Sequence, residues 1–217
     1  MIRGIGKSII KLQFRTMLWR LRYYLGSVDD FWYRNLFKNK DNYTGDITPA
    51  YQLLTEQDVK HVYNIVPEAK IIFIIRNPID RTWSQLRKNN QHKFEFDALR
   101  KVIHSDDIKW RNDYLRTMHT WKKYYPDSQF KVAFFDDLKN NPVKMMNEVV
   151  EFIKGTYSND SNNKELTRIV NAARSSNMDN KTKRFLAEEL LPLMEDQAKV
   201  FCSYAKLWYE EALKSLK

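Results

Sequence analysis

Five consecutive apolar residues, Ile71-Ile72-Phe73-Ile74-Ile75, constrain this chain more than any other stretch. Four of them are β-branched. A run that short and that apolar reads as a strand buried on both faces, as in a parallel sheet covered by helices. Arg76-Asn77-Pro78 stops it. Pro78 disfavours the α region for Asn77 and cannot extend a ladder, so a loop must begin there. Asp80 is a candidate N-cap, and Arg81 to Asn89 is compatible with a helix. The unit is strand, tight polar loop, helix. Arg76 therefore falls at the carboxyl end of a central strand, where open α/β sheets bind their ligands. Ser84 follows Asp80 by four residues, on the helix side that can face back toward the loop. A guanidinium and a hydroxyl converging there suit a phosphate. The same pattern also fits a buried strand with a chain-reversing proline loop and an ion-paired arginine.

Around this unit the pattern alternates. Ile9 to Leu25 carries a helical stripe (Ile10, Phe14, Leu18, Leu21, Leu25) flanked by Lys11, Arg15, Arg20 and Arg22, and Gly26 ends it. Such a stripe is expected to face a core, although a basic amphipathic helix can also lie on a membrane surface. Asp29 to Phe37 reads as a short aromatic helix. Tyr43 to Tyr51 reads as a very short strand entering a loop, and Gln52 to Ile65 as a helix. Arg87 to Asp107 is polar without strong periodicity. Asp113 to Tyr125 is helical in pattern, and Gln129 to Phe135 is a second buried parallel strand ended by Asp136-Asp137. Pro142 opens a helix with Met145, Met146, Val149, Phe152 and Ile153 on its buried face. After a polar loop and a short helix near Leu166 to Ala173, the helices Phe185 to Met194 and Asp196 to Leu216 close the chain. Strand–helix alternation with right-handed crossovers implies a three-layer α/β sheet. At 217 residues the expectation is a single domain, with residues 1–30 as an atypical N-terminal segment.

Charge narrows the partners. The 37 Lys+Arg against 27 Asp+Glu give a formal +10, which favours anions: a nucleotide, a sulfated or acidic substrate, nucleic acid or an anionic membrane. No RNA- or DNA-binding motif accompanies that charge, so a nucleic-acid partner is not expected. Cys202 is the sole cysteine, which excludes an intrachain disulfide and a thiolate zinc cluster. The four histidines show no metal-ligand spacing, and no metal is expected. No apolar run approaches the roughly 20 residues needed to span a bilayer. The charged N-terminus lacks a secretory signal pattern, and a cytoplasmic address is the default.

Four motifs in order carry a family resemblance. Lys70 to Arg81 (KIIFIIRNPIDR) followed by Ser84 resembles the 3′-phosphate-binding signature of the sulfotransferases that use 3′-phosphoadenosine 5′-phosphosulfate (PAPS), specifically their carbohydrate or heparan type. Gly45-Asp46-Ile47-Thr48-Pro49-Ala50-Tyr51 resembles the G-E-x-[ST]-P-x-Y loop. Trp121 to Pro126, with Phe134-Phe135-Asp136-Asp137-Leu138 and Pro142, resembles W-x-x-x-[FY]-P … [YF]-x-D-L-x-x-x-P. Met178 and Thr182 through Trp208 resemble the closing helices. The likeness runs from about Phe31 to Trp208 and implies a P-loop-like α/β fold with a central, mainly parallel sheet. It implies that Arg76 and Ser84 hold the 3′-phosphate of PAPS. It also implies transfer of a sulfuryl group to a hydroxyl or amine on a carbohydrate or small-molecule acceptor.

By the same likeness, Asp46 stands where members acting on sugars carry a catalytic Glu, which takes the acceptor's proton. Capping of the helix that follows is the competing role for this Asp. An N-terminal lysine beside the bridging oxygen stabilises the departing phosphate, in a loop that cradles the 5′-phosphosulfate. Lys7 and Ser8 are the candidates here. The chain departs from the family pattern after them, with Ile9-Ile10 in place of Gly-Thr-Thr. Either Gly4 to Ser8 is a degenerate cofactor loop, or the first strand and its loop are absent and the chain is a truncated, non-catalytic anion-binding relative. Asp46 in place of Glu keeps the carboxylate but shortens its reach by one methylene.

Overall fold

In a computed structural model of the protein, residues 17, 20–21, 23–37, 44–154 and 178–217 are described. The chain falls into two compact units, Met1–Pro49 and Ala50–Lys217.

In the first unit, residues 17, 20, 21 and 23–25 are helical and the helix stops at Gly26, as the stripe predicts. Of the stripe only Leu21 and Leu25 are among the described residues, and neither is buried. Leu21 is 42% and Leu25 79% exposed. What this segment does pack is aromatic: the Tyr23 ring meets Tyr24 edge-on at 5.1 Å and Trp32 at 5.9 Å. Helix α1, Asp30–Phe37, follows. The Asp29 carboxylate accepts the Trp32 backbone N–H at 2.6 Å and so caps the first turn. Residues 44–48 form neither strand nor helix, so the expected short strand is absent there. Pro49 instead opens a 3-10 turn, Pro49–Leu53. Proline cannot donate to a ladder, and its fixed φ suits the start of a helical turn.

The second unit holds the core. Helix α2, Glu56–Ile65, starts four residues later than the apolar pattern suggests, because Thr55 and Asp58 form a reciprocal capping box. Strand β1, Ile71–Ile75, and strand β2, Phe130–Phe134, pair in parallel with Ile71 opposite Phe130 and Ile75 opposite Phe134. Both strands are where the sequence places them, and the chain has the α/β fold expected. Burial of β1 is one-sided, not two-sided: Phe73 and Ile75 are buried, whereas Ile74 is 48% exposed.

Between the strands run α3, Pro78–Lys88, then α4, Phe96–Ile103, α5, Asp106–Asn112, and α6, Tyr114–Lys122. The stretch that looked aperiodic, Arg87 to Asp107, thus contains α4 and the start of α5. After β2 come α7, Phe135–Asn140, and α8, Pro142–Lys154. Of the five residues expected to form the buried face of α8, only Met145 is fully buried. Helices α9, Asn180–Phe201, and α10, Ser203–Leu216, end the chain. The break between them lies at Cys202, not near Glu195, and α9 continues through Pro192. Cys202 and Ser203 take φ of 50° and 42° to make the reversal.

The core joins Phe73, Ile75, Ile79 and Leu86 of the strand–loop–helix unit to Tyr114, Trp121 and Tyr125. It also takes in Leu186, Leu190, Met194, Trp208 and Ala212 from α9 and α10. No helix among the described residues is long and apolar enough to cross a membrane.

Candidate functional site

The candidate site is built where β1 ends. Asn77, not Asp80, is the N-cap of α3: its side-chain oxygen accepts the Ile79 N–H at 3.0 Å, and Pro78 takes the first helical position. This correction moves Asp80 into the first turn, where its carboxylate faces Arg76. The Arg76 Nη2 lies 3.7 Å from Asp80 Oδ2. That is an ion contact beyond hydrogen-bond length.

The rest of Arg76 is held by its surroundings. Its carbonyl accepts the Tyr114 hydroxyl at 2.7 Å. Tyr114 is fully buried, and burial above all pushes its phenol up to about 12, so it stays a donor at any ordinary pH. The Arg76 guanidinium lies 5.1 Å over the ring of Phe135, the residue after β2. Parallel pairing of β1 with β2 therefore brings the seat of the arginine to the arginine. The guanidinium makes no hydrogen bond among the described residues, and its Nε is buried without a partner. Arg76 is thus fixed by stacking and by its backbone, with its donors left over.

Arg81 adds to this. Its backbone N–H donates to the Asn77 carbonyl at 2.9 Å, which sets it in the first turn of α3. Its Nη1 is buried without a partner. Burial lowers its pKa, Tyr114 and Asp107 act against that, and the nearby charges of Arg111 and Arg76 add to it. The neighbouring Arg111 is spoken for: its Nε donates to Asp107 at 2.8 Å, and Gln85 donates to the same carboxylate at 2.6 Å. Burial works against the Asp107 carboxylate, but these two hydrogen bonds outweigh it and hold its pKa below the usual range.

Ser84 stands exposed on α3, four residues after Asp80 and three after Arg81, the spacings at which helical side chains are neighbours. The helix itself is tied down from behind. Asn112 donates to the buried Thr82 hydroxyl at 2.8 Å, and Gln197 of α9 donates to the Asn112 carbonyl at 2.6 Å. These bonds tie α3, just beyond its first turn, to α5 and through it to α9.

Asp46 lies in the first unit, in the irregular stretch 44–48. The Thr48 hydroxyl donates to its carboxylate at 2.8 Å, and the Tyr33 hydroxyl is 3.4 Å away. Every residue from 44 to 50 is exposed. Lys7 and Ser8 lie outside the described residues. Three site residues escaped the sequence reading. Arg81 and Phe135 fall inside the motifs that carry the family resemblance but have no site role assigned from it, and Tyr114 stands in the sequence only as part of a helical stripe. A second arginine five positions after the first, across an Asn-Pro loop and inside the same signature, is the signal that points to Arg81.

The chain is similar to known proteins over this same region. The model of the sulfotransferase family matches residues 11–159. A mouse bifunctional heparan sulfate N-deacetylase/N-sulfotransferase 4 is 27% identical over 143 residues, covering 56% of this chain and 16% of its own length. The human heparan sulfate glucosamine 3-O-sulfotransferase 5 is 28% identical over 137 residues, covering 56% of this chain and 39% of its own. The chain therefore spans well under half the length of these curated relatives. A crystal structure of a sulfotransferase from Alicyclobacillus acidocaldarius shares the fold, with a TM-score of 0.60 at 18% identity over 87% of this chain and 77% of that one. With the family model covering more than half of its length, this chain belongs to the sulfotransferase family.

Proposed function

We propose that the chain transfers a sulfuryl group from PAPS to a hydroxyl or amine of an acceptor, with a carbohydrate as the first class to test. The observation that carries the reading is Arg76. A guanidinium fixed at the carboxyl end of a parallel strand, with a buried Nε that nothing satisfies, requires an anionic acceptor. The terminal 3′-phosphate of PAPS is such a group, and the exposed Ser84 hydroxyl one turn into α3 is a second donor for it. The donor set suits the co-substrate. Arg76 and Ser84 would hold the 3′-phosphate, and Lys7 and Ser8 the 5′-phosphosulfate. Asp46, oriented by Thr48, would take the acceptor's proton as the acceptor attacks sulfur in line and adenosine 3′,5′-bisphosphate departs. The carbohydrate acceptor class follows the relatives, whose names include heparan sulfate and its glucosamine.

The test is calorimetry with adenosine 3′,5′-bisphosphate against adenosine 5′-monophosphate. A charge-assisted contact at Arg76 contributes about 1.5–3 kcal/mol. Arg76→Ala should weaken the bisphosphate by roughly tenfold to a hundredfold and leave the monophosphate nearly unchanged. Equal losses for both ligands in a folded variant would sink the assignment.

A further inference from the structure

Around the loop after β1 the charges do not balance. Arg76 faces Asp80, loosely, at 3.7 Å. Arg111 is bonded to Asp107 at 2.8 Å. Arg81 has no carboxylate of its own, its guanidinium makes no hydrogen bond among the described residues, and its Nη1 is buried without a partner. Tyr114 offers it no counter-charge, since the buried phenol stays protonated and neutral. One whole positive charge is therefore left over beside the shared charge of Arg76. Two guanidinium groups, each with a buried N–H unmet, and the charge of Arg76 adding to the lowering at Arg81, are unfavourable without an anion to answer them.

A singly charged group would offset only one of the two positive charges. A phosphomonoester carries about −1.5 to −2 at pH 7 and three strong acceptor oxygens. A phosphodiester or a sulfate ester carries −1. We infer that Arg81 is a second cationic arm of the phosphate site, and that with Arg76 it selects a doubly charged phosphomonoester over a singly charged ester. The inference rests on the reading of Arg76 as a 3′-phosphate ligand. It goes further by assigning Arg81 and by naming the charge state recognised. Placement agrees with it. Arg81 precedes Ser84 by three residues on one helix face, and both follow the loop that Arg76 opens.

The experiment compares three ligands on the whole chain by calorimetry. They are adenosine 3′,5′-bisphosphate, the same nucleotide with its 3′-phosphate methyl-esterified, and adenosine 5′-monophosphate. The folded wild type should prefer the bisphosphate over its methyl ester by about tenfold or more. Arg81→Gln should lose most of that preference, with the monophosphate changed by less than about twofold, and Arg81→Lys should regain part of it. A merely structural arginine would lower the melting temperature in Arg81→Gln and leave the ratio of the two bisphosphates untouched. That result overturns the inference while the Arg76 reading stands. Should Arg81→Gln fail to fold, the wild type alone still decides: equal affinity for the bisphosphate and its methyl ester overturns the inference. A wild type that binds the bisphosphate no better than the monophosphate overturns both readings together.

Discussion

Asp46 holds its carboxylate against the Thr48 hydroxyl in a stretch that is exposed throughout. A base needs that combination of fixed orientation and access. Asn can cap a helix about as well as Asp but cannot accept a proton. Asp46→Asn should therefore slow sulfuryl transfer by roughly 10²-fold or more, with thermal stability within a few tenths of a kcal/mol of wild type. Asp46→Glu should be tolerated or faster. Near-full turnover in Asp46→Asn would overturn the base assignment. Lys7 is tested by the split between rate and binding. If it faces the bridging oxygen, Lys7→Ala should cut single-turnover transfer by about 10²-fold while adenosine 3′,5′-bisphosphate affinity hardly moves. Loss of both in parallel would make it an ordinary phosphate contact. Gly45 shows a limit of motif reading. A Cβ placed there would meet nothing within 4 Å, so sterics within the loop do not demand glycine.

At the scale of elements, the first turn of α3 is the part whose integrity the site depends on. Asn77→Ala removes the cap to Ile79 and should cost about 1 kcal/mol of stability, whereas Asn77→Asp should recover it. Because Asp80, Arg81 and Ser84 all hang on that turn, Asn77→Ala should also weaken adenosine 3′,5′-bisphosphate more than the monophosphate. An unchanged ratio would show that the turn holds without its cap. The strands were legible in the sequence because short runs of Ile, Val and Phe between turn residues have few other uses. Asp80 was misjudged as the cap since Pro78 fixes the first helical position, which leaves only Asn77 before it. Helix α4 was missed although Phe96, Leu99 and Ile103 have helical spacing. It is eight residues long and is followed at once by α5, so a window across both mixes two phases. The α9–α10 boundary was illegible for another reason. The reversal uses positive φ at Cys202 and Ser203, and neither is the glycine that would have announced it.

At the scale of the whole molecule, one acid ties α4 in the middle of the second unit to the closing helix α9. Glu189 of α9 accepts Arg100 Nε at 2.7 Å and contacts His104 Nε2 at 2.8 Å, its side chain only 12% exposed. Arg100 also lies 5.4 Å over Phe185, which stacks on Phe96 at 4.7 Å. Burial opposes the Glu189 charge, but the hydrogen bonds from Arg100 and His104 prevail and its pKa lies below the usual 4.5. A depressed folded pKa contributes stability that is present above the unfolded value and is lost as pH falls through the folded one. Wild type should therefore lose melting temperature between about pH 5 and pH 3 more steeply than Glu189→Gln does. Parallel slopes would assign the acid sensitivity to other carboxylates.

The register of the sheet also has a consequence in time. Ile71 and its partner Phe130 are separated by about 60 residues, so β1 cannot pair with β2 until nearly all of the intervening helices have been made. At typical synthesis rates of about 5–20 residues per second, the five apolar residues of β1 wait some 3–12 s at the ribosome without that neighbour. During that wait Arg76 has no Phe135 to rest on and no Tyr114 hydroxyl on its carbonyl. The proposed anion site therefore cannot be assembled before β2 and Phe135 have been made. The newborn chain presents a sticky strand before it presents a charged pocket, which makes chaperone capture and slow maturation of nucleotide binding the expected behaviour of the nascent protein.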